Sequence, residues 1–72
     1  MILFKDWFSG KFEFYSYQEA ADLIGCSRSN VQNWKKGNAP SFFWALQICR
    51  AVAYIDNRNF TEVLLEMSEL EL

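Results

Sequence analysis

The chain has 72 residues, of which 51% are hydrophobic and 18% aromatic, and its formal net charge is −2. This length allows one domain with a small core, and the separated glycines form no phosphate-binding loop. Because the chain has no histidine and only two isolated cysteines, its composition argues against an enzyme, a metal site and a bound cofactor.

The first predicted element is a short helix in the N-terminal segment. Two i, i+4 pairs of apolar side chains share one helical face: Leu3 with Trp7, and Phe4 with Phe8. We expect this helix to end near Ser9-Gly10 and residues 11–16 to form an extended connector. Lys5 and Asp6 interrupt the apolar run, so no signal peptide is expected here.

Two short helices with clear end signals follow. Ser16 and Glu19 form the sequence pattern of a capping box, and Gly25 suits the left-handed conformation that ends many helices. Ser27 is a second capping residue, and a glycine at position 37 closes the next helix. Two short helices joined by a glycine-centred turn form a helix-turn-helix.

The longest predicted helix follows Pro40-Ser41 and runs from Phe42 to Tyr54. It is apolar on nearly all sides, which indicates burial in the core or at a subunit contact. A last helix is predicted at about residues 59–70, where Asn59 and Glu62 form the pattern of a second capping box.

Charge is segregated along the chain. Residues 23–55 carry four basic side chains and no acidic one, whereas the segments on either side have an excess of acids. The four basic residues are Arg28, Lys35, Lys36 and Arg50. A polyanionic partner would therefore bind to the middle of the chain.

The stretch YQEAADLIGCSRSNVQNWKKG resembles the helix-turn-helix of the Cro and cI repressor family of phage and bacterial regulators. The resemblance rests on the spacing of Ala21, Gly25, Val31 and Trp34, and on the downstream PSFFWALQICRAV, so it covers about residues 16–52. It implies one lambda-repressor-like domain over residues 1–72, all-α with four to five short helices, and its motif at about 16–37. The implied function is sequence-specific binding of duplex DNA as a Cro-type transcriptional repressor.

The resemblance implies that the helix from Ser27 to Lys36 enters the major groove with its N-terminal residues first. We expect Arg28 to contact guanine, and Asn33 or Gln32 to contact adenine. The family places a glutamine where this chain has Tyr17, and a glutamine follows here at the next position. The remaining candidates for contacts to phosphates or base edges are Gln18, Ser27, Ser29, Lys35, Lys36 and Asn38.

A single recognition helix reads few base pairs, so the resemblance also implies a homodimer on a two-fold operator. We expect the subunit contact at apolar residues outside the main core face: Phe43, Trp44, Tyr54, Phe60, Leu70 and Leu72. The acidic tail should then lie far from the DNA, and the apolar stripe of the C-terminal helix offers a surface for a protein partner.

The expected location is the cytoplasm of a bacterial host, at the nucleoid. No apolar stretch approaches the roughly 20 residues needed to span a bilayer, so no membrane association is expected. Cys26 and Cys49 are expected to be reduced thiols that pack in the core.

Three other functions remain open from the sequence. The chain could be an antitoxin whose acidic C-terminal helix masks a basic toxin, which an adjacent toxin gene would favour. It could be a recombination directionality or DNA-architecture factor, which DNA bending without repression would favour. In a protein-binding helical module with no DNA role, the absence of acids from residues 23–55 would be coincidental.

Overall fold

The computed structural model describes residues 1–71, which form five α-helices. They are α1 (Phe4–Lys11), α2 (Tyr17–Ile24), α3 (Arg28–Lys36), α4 (Phe42–Asp56) and α5 (Phe60–Ser68). Within residues 1–71 no strand forms, and extended pairing is limited to one isolated bridge between Leu3 and Glu71. The predicted all-α fold is therefore confirmed. None of the helices in this part of the chain has both the length and the apolar character that crossing a membrane requires.

Serine side chains cap the starts of α2, α3 and α4. At α2 the predicted capping box is present, because Ser16 Oγ accepts from the Glu19 amide at 3.0 Å and Glu19 Oε1 accepts from the Ser16 amide at 2.8 Å. Ser27 and Ser41 accept from the amides three residues later, at 3.4 and 3.5 Å. Each such cap stabilises a helix by about 0.5–2 kcal/mol relative to alanine.

The start of α5 differs from the prediction. Asn59 Oδ1 accepts from the Thr61 amide at 2.7 Å, and the Glu62 carboxylate lies 3.8 Å from Arg58 Nε. The second capping box is therefore wrong: asparagine caps through a bond two residues ahead, and the glutamate side chain is drawn to the neighbouring arginine.

Aromatic side chains of α1 form the centre of the core. Phe4, Phe8 and Phe12 are fully or almost fully buried, and the Phe8 ring lies 4.9 Å from that of Phe12. The helix ends at Lys11, one residue past the predicted Ser9-Gly10 end, and Phe12 is its C-terminal cap.

Each of the other helices adds buried apolar side chains to this core. On α2, Ala20 and Ala21 are completely buried, which lets α3 approach closely. The buried residues of α4 and α5 are Ile48, Cys49, Ala51, Val52, Val63 and Met67. Phe42, the first residue of α4, is 78% exposed.

Candidate nucleic-acid interface

The candidate interface is built on α3. A glycine lies in the turn before this helix, and another glycine ends it. Gly25 (φ +87°) and Gly37 (φ +112°) both adopt the left-handed conformation, which costs glycine little and other residues more. The amides of Gly25 and Cys26 both donate to the Ala21 carbonyl, at 2.7 and 3.0 Å. These bonds end α2 and set the tight turn into Ser27, the cap of α3.

The rotation of α3 about its axis is set by two buried side chains. Val31 is 0% exposed and Trp34 is 5% exposed, as the i, i+3 spacing predicts. The Trp34 ring meets Phe8 edge to face with centroids 5.8 Å apart, and it also contacts Trp44 at 6.1 Å. The opposite side of α3 therefore faces solvent.

We call this solvent-facing side the polar face of α3. It contains no acidic residue, and its exposed side chains are Arg28, Ser29, Asn33 and Lys36. Of the other predicted contacts, Ser27 and Asn38 are exposed at the two ends of the helix, and Gln32 is half-buried. With Lys35, eight of the nine predicted DNA-contacting residues therefore lie on α3 or at its ends. The ninth, Gln18, lies on α2.

Lys35 lies at the edge of the polar face and contacts α2. Its Nζ is 4.8 Å from the centroid of the Tyr17 ring, a cation–π distance. The Tyr17 ring therefore keeps the Lys35 ammonium beside the start of α2.

Gln18 is the predicted contact that the structure favours least. Its Nε2 donates to Asp22 Oδ1 at 2.9 Å, so the amide is already engaged with a carboxylate. The Glu19 carboxylate also occupies the start of α2 through the capping box. Two acids beside Gln18 disfavour the approach of a phosphate there.

Ion pairs remove two of the seven basic residues from any anion-binding role. Lys11 Nζ lies 2.7 Å from Asp56 Oδ2, and Arg58 Nη1 lies 3.0 Å from Glu66 Oε1. We call this group the ion cluster; its members are Lys11, Asp56, Arg58, Glu62 and Glu66. Within residues 1–71 the other basic side chains have no carboxylate within 4.0 Å: Lys5, Arg28, Lys35, Lys36 and Arg50.

Lys5 is a cation near α3 that the sequence reasoning missed. It lies on α1, and its stem packs against Gly37 at the end of α3. Nothing in the sequence signals this proximity, because it arises only when α1 packs against α3.

The expectation that the acidic C-terminal segment lies far from the candidate interface is wrong for Glu71. Glu71 lines one small cavity together with Lys5, Lys36 and Gly37. Its backbone is held there by hydrogen bonds to the N-terminal segment, including Phe4 N–H to the Glu71 carbonyl at 2.7 Å.

The residues predicted for the subunit contact differ in how exposed they are. Phe43 and Tyr54 are 58% and 77% exposed, whereas Trp44 is half-buried against Trp34. Phe60 and Leu70 are partly buried against the chain's own core. Leu72 lies outside the described residues.

Neither cysteine is arranged as a reactive thiol. Cys49 is completely buried, and burial together with the negative charge of Glu66 raises its pKa to about 11. Burial also raises the pKa of Cys26, which is half-buried. Both side chains stay protonated at neutral pH and pack as small apolar groups.

No protein-family model, curated protein or solved structure matches this chain.

Proposed function

We propose that the chain binds duplex DNA sequence-specifically through α3, as a transcriptional repressor of the Cro type that acts at the nucleoid of a bacterial host. The observation that carries this proposal is the polar face of α3. Val31 and Trp34 turn that helix so that its acid-free side is exposed, and caps at both ends hold it. A helix of this width fits the major groove, whose base edges are read by arginine and amide side chains.

The proposed contact of each side chain with DNA follows from its position along α3. Arg28 is the first residue of the helix and is exposed, which suits a bidentate contact to guanine from the leading end. Asn33 is also exposed, five residues further along the helix, and suits adenine better than the half-buried Gln32. Lys35 and Lys36 at the last turn suit contacts to phosphates.

The test compares binding to the DNA that flanks the chain's own gene with binding to random duplex. Arg28→Ala should lower preference for the specific site by about 1–3 kcal/mol and leave the fold intact, because the side chain is exposed. Lys36→Ala is the matched control: it removes one positive charge from the last turn of the same helix and should preserve the ratio.

A second variant separates base reading from phosphate binding. Lys36→Ala should weaken binding to all sequences alike and lower the slope of log affinity against log salt by about one unit. If Arg28→Ala keeps the wild-type preference, Arg28 does not read bases. If the wild-type chain binds no duplex even at low salt, the proposed function is wrong.

A further inference from the structure

Lys5 lies against the end of α3 because of how α1 packs. A Cβ added at Gly37 would be 3.5 Å from Lys5 Cδ, so the lysine stem lies directly over this glycine. The glycine conformation, φ +112°, turns the chain sharply after α3. The Lys5 side chain thereby lies beside the end of the helix proposed to enter the groove.

Lys5 and Lys36 line the same small cavity from two different helices. Both are exposed, and within residues 1–71 neither has a carboxylate within 4.0 Å. Two like charges brought together without a close partner repel each other, and an anion between them removes that repulsion. Phosphate oxygens accept from ammonium groups in this arrangement.

Glu71 reaches the rim of this cavity by backbone pairing. Its carbonyl accepts from the Phe4 amide at 2.7 Å, and its amide donates to the Ile2 carbonyl at 3.0 Å. These two bonds fix the backbone of Glu71 at the rim of the cavity, and its exposed carboxylate forms no ion pair with Lys5 or Lys36. A carboxylate at this rim attracts the ammonium groups and repels an incoming phosphate.

We infer that Lys5 and Lys36 together contact the phosphate backbone of DNA bound at α3, and that Glu71 weakens this contact. The inference rests on the proposed function and adds to it a residue from α1 and an opposing charge. Affinity then depends on whether the segment around Glu71 stays paired with residues 2–4.

The experiment measures binding to a random-sequence duplex over a range of salt concentrations. Lys5→Met keeps the apolar stem over Gly37 and removes the charge, and it should lower the salt slope by about 0.9. Glu71→Gln should raise affinity on the order of two- to five-fold, the effect of one exposed charge.

Glu69→Gln is the matched control, because it removes the same charge from a residue that lines a different cleft, beside Trp7 and Lys11. It should raise affinity less than Glu71→Gln does. In the Lys5→Met, Lys36→Met double variant, Glu71→Gln should give a smaller gain, since the ammonium groups that the carboxylate attracts are absent and only its direct repulsion of the phosphate is relieved. Circular dichroism of each variant checks that the fold is retained.

Two results would overturn the inference while leaving the proposed function standing: an unchanged slope for a folded Lys5→Met, or equal gains for the Glu71 and Glu69 variants. Absence of any duplex binding by the wild-type chain is a different result and would overturn both proposals.

Discussion

Trp34 is the residue on which the orientation of α3 depends. Its ring is 5% exposed and contacts Phe8 and Trp44, so it joins α1, α3 and α4. Trp34→Ala should lower the free energy of unfolding by about 3–5 kcal/mol, since truncating a buried aromatic leaves a cavity. Chemical denaturation followed by circular dichroism measures this. A domain of this size has little more stability in reserve, so the variant should be largely unfolded.

Two companion variants make the Trp34 result interpretable. Trp34→Phe keeps a ring in the core and should remain folded at a smaller cost. Phe14→Ala truncates an aromatic that is 90% exposed and should change stability by no more than about 0.5 kcal/mol. A well-folded Trp34→Ala that loses only DNA binding would contradict the rotation of α3 described above.

Two glycines should respond to alanine in opposite directions. Gly10 lies inside α1 with no atom within 4 Å of an added Cβ, so Gly10→Ala should stabilise the fold by about 0.5–1 kcal/mol. Gly25 has equal space but a φ of +87°, so Gly25→Ala should destabilise it by roughly 1–2 kcal/mol. Urea unfolding of both variants decides this, and shifts of the same sign would contradict the backbone conformation of one of them.

At the level of helices, the sequence predicted best those ends that local chemistry sets. The bounds of α2 and α3 agree with the prediction because Ser16, Gly25, Ser27 and Gly37 each act on their own neighbours. The end of α1 lies one residue past the predicted end, since the glycine at position 10 stays helical and the helix is capped only at Phe12.

In the candidate interface, too, the residues set by local sequence could be predicted, whereas those set by tertiary packing could not. Arg28, Asn33 and Lys36 could be found from the sequence, because helical periodicity relates them to Val31 and Trp34. Lys5 and Glu71 could not, because they come near α3 only through the packing of α1 and the pairing of residues 2–4 with Glu71.

The ion cluster should make stability depend on pH. Trp7 Nε1 donates to Glu66 Oε2 at 2.7 Å; that bond, with further contributions from Arg58 and Lys11, lowers the Glu66 pKa below its ordinary value of 4.5. A carboxyl whose pKa is lowered by folding stabilises the fold above the unfolded pKa. That contribution is lost as pH falls below about 4.5 through the folded pKa.

Glu66→Gln should therefore lower the melting temperature at pH 7, by the equivalent of a few tenths to about 1 kcal/mol, because the site is partly exposed. The difference from wild type should shrink as pH falls below about 4, where the wild-type carboxyl is protonated too. Glu69→Gln is the control, since Glu69 is exposed and lies outside the ion cluster. A difference that stays constant from pH 7 to pH 2 would contradict the role of the Glu66 charge.

At the level of the whole molecule, the size of the chain limits how many half-sites of an operator one copy can contact. The described part of the chain measures 25 × 23 × 22 Å. Successive major grooves on one side of B-DNA are about 34 Å apart. One copy of the chain therefore cannot place recognition helices in both half-sites of a two-fold operator, so the proposal requires a second copy.

The exposed face of α4 is where we expect that second copy to bind. Phe43, Gln47, Arg50 and Tyr54 follow one another at i, i+4, i+7 and i+11, which places them on one side of the helix. The aromatic residues at the two ends of this row are both largely exposed. Trp44, Phe60 and Leu70 are less available, since each already packs against its own chain.

The double variant Phe43→Ser, Tyr54→Ser should convert a dimer to a monomer without unfolding it, because both side chains lie outside the core. Sedimentation velocity at micromolar concentration, with and without operator DNA, measures the change. Phe14→Ser is the matched control: Phe14 is 90% exposed on the connector between α1 and α2, and its loss should leave the dimer intact. Loss of the dimer should also weaken specific binding more than random binding, because only a two-fold site uses both copies. A wild-type chain that sediments as a monomer both alone and on its DNA would contradict the dimer and make the exposed face of α4 a surface for another protein.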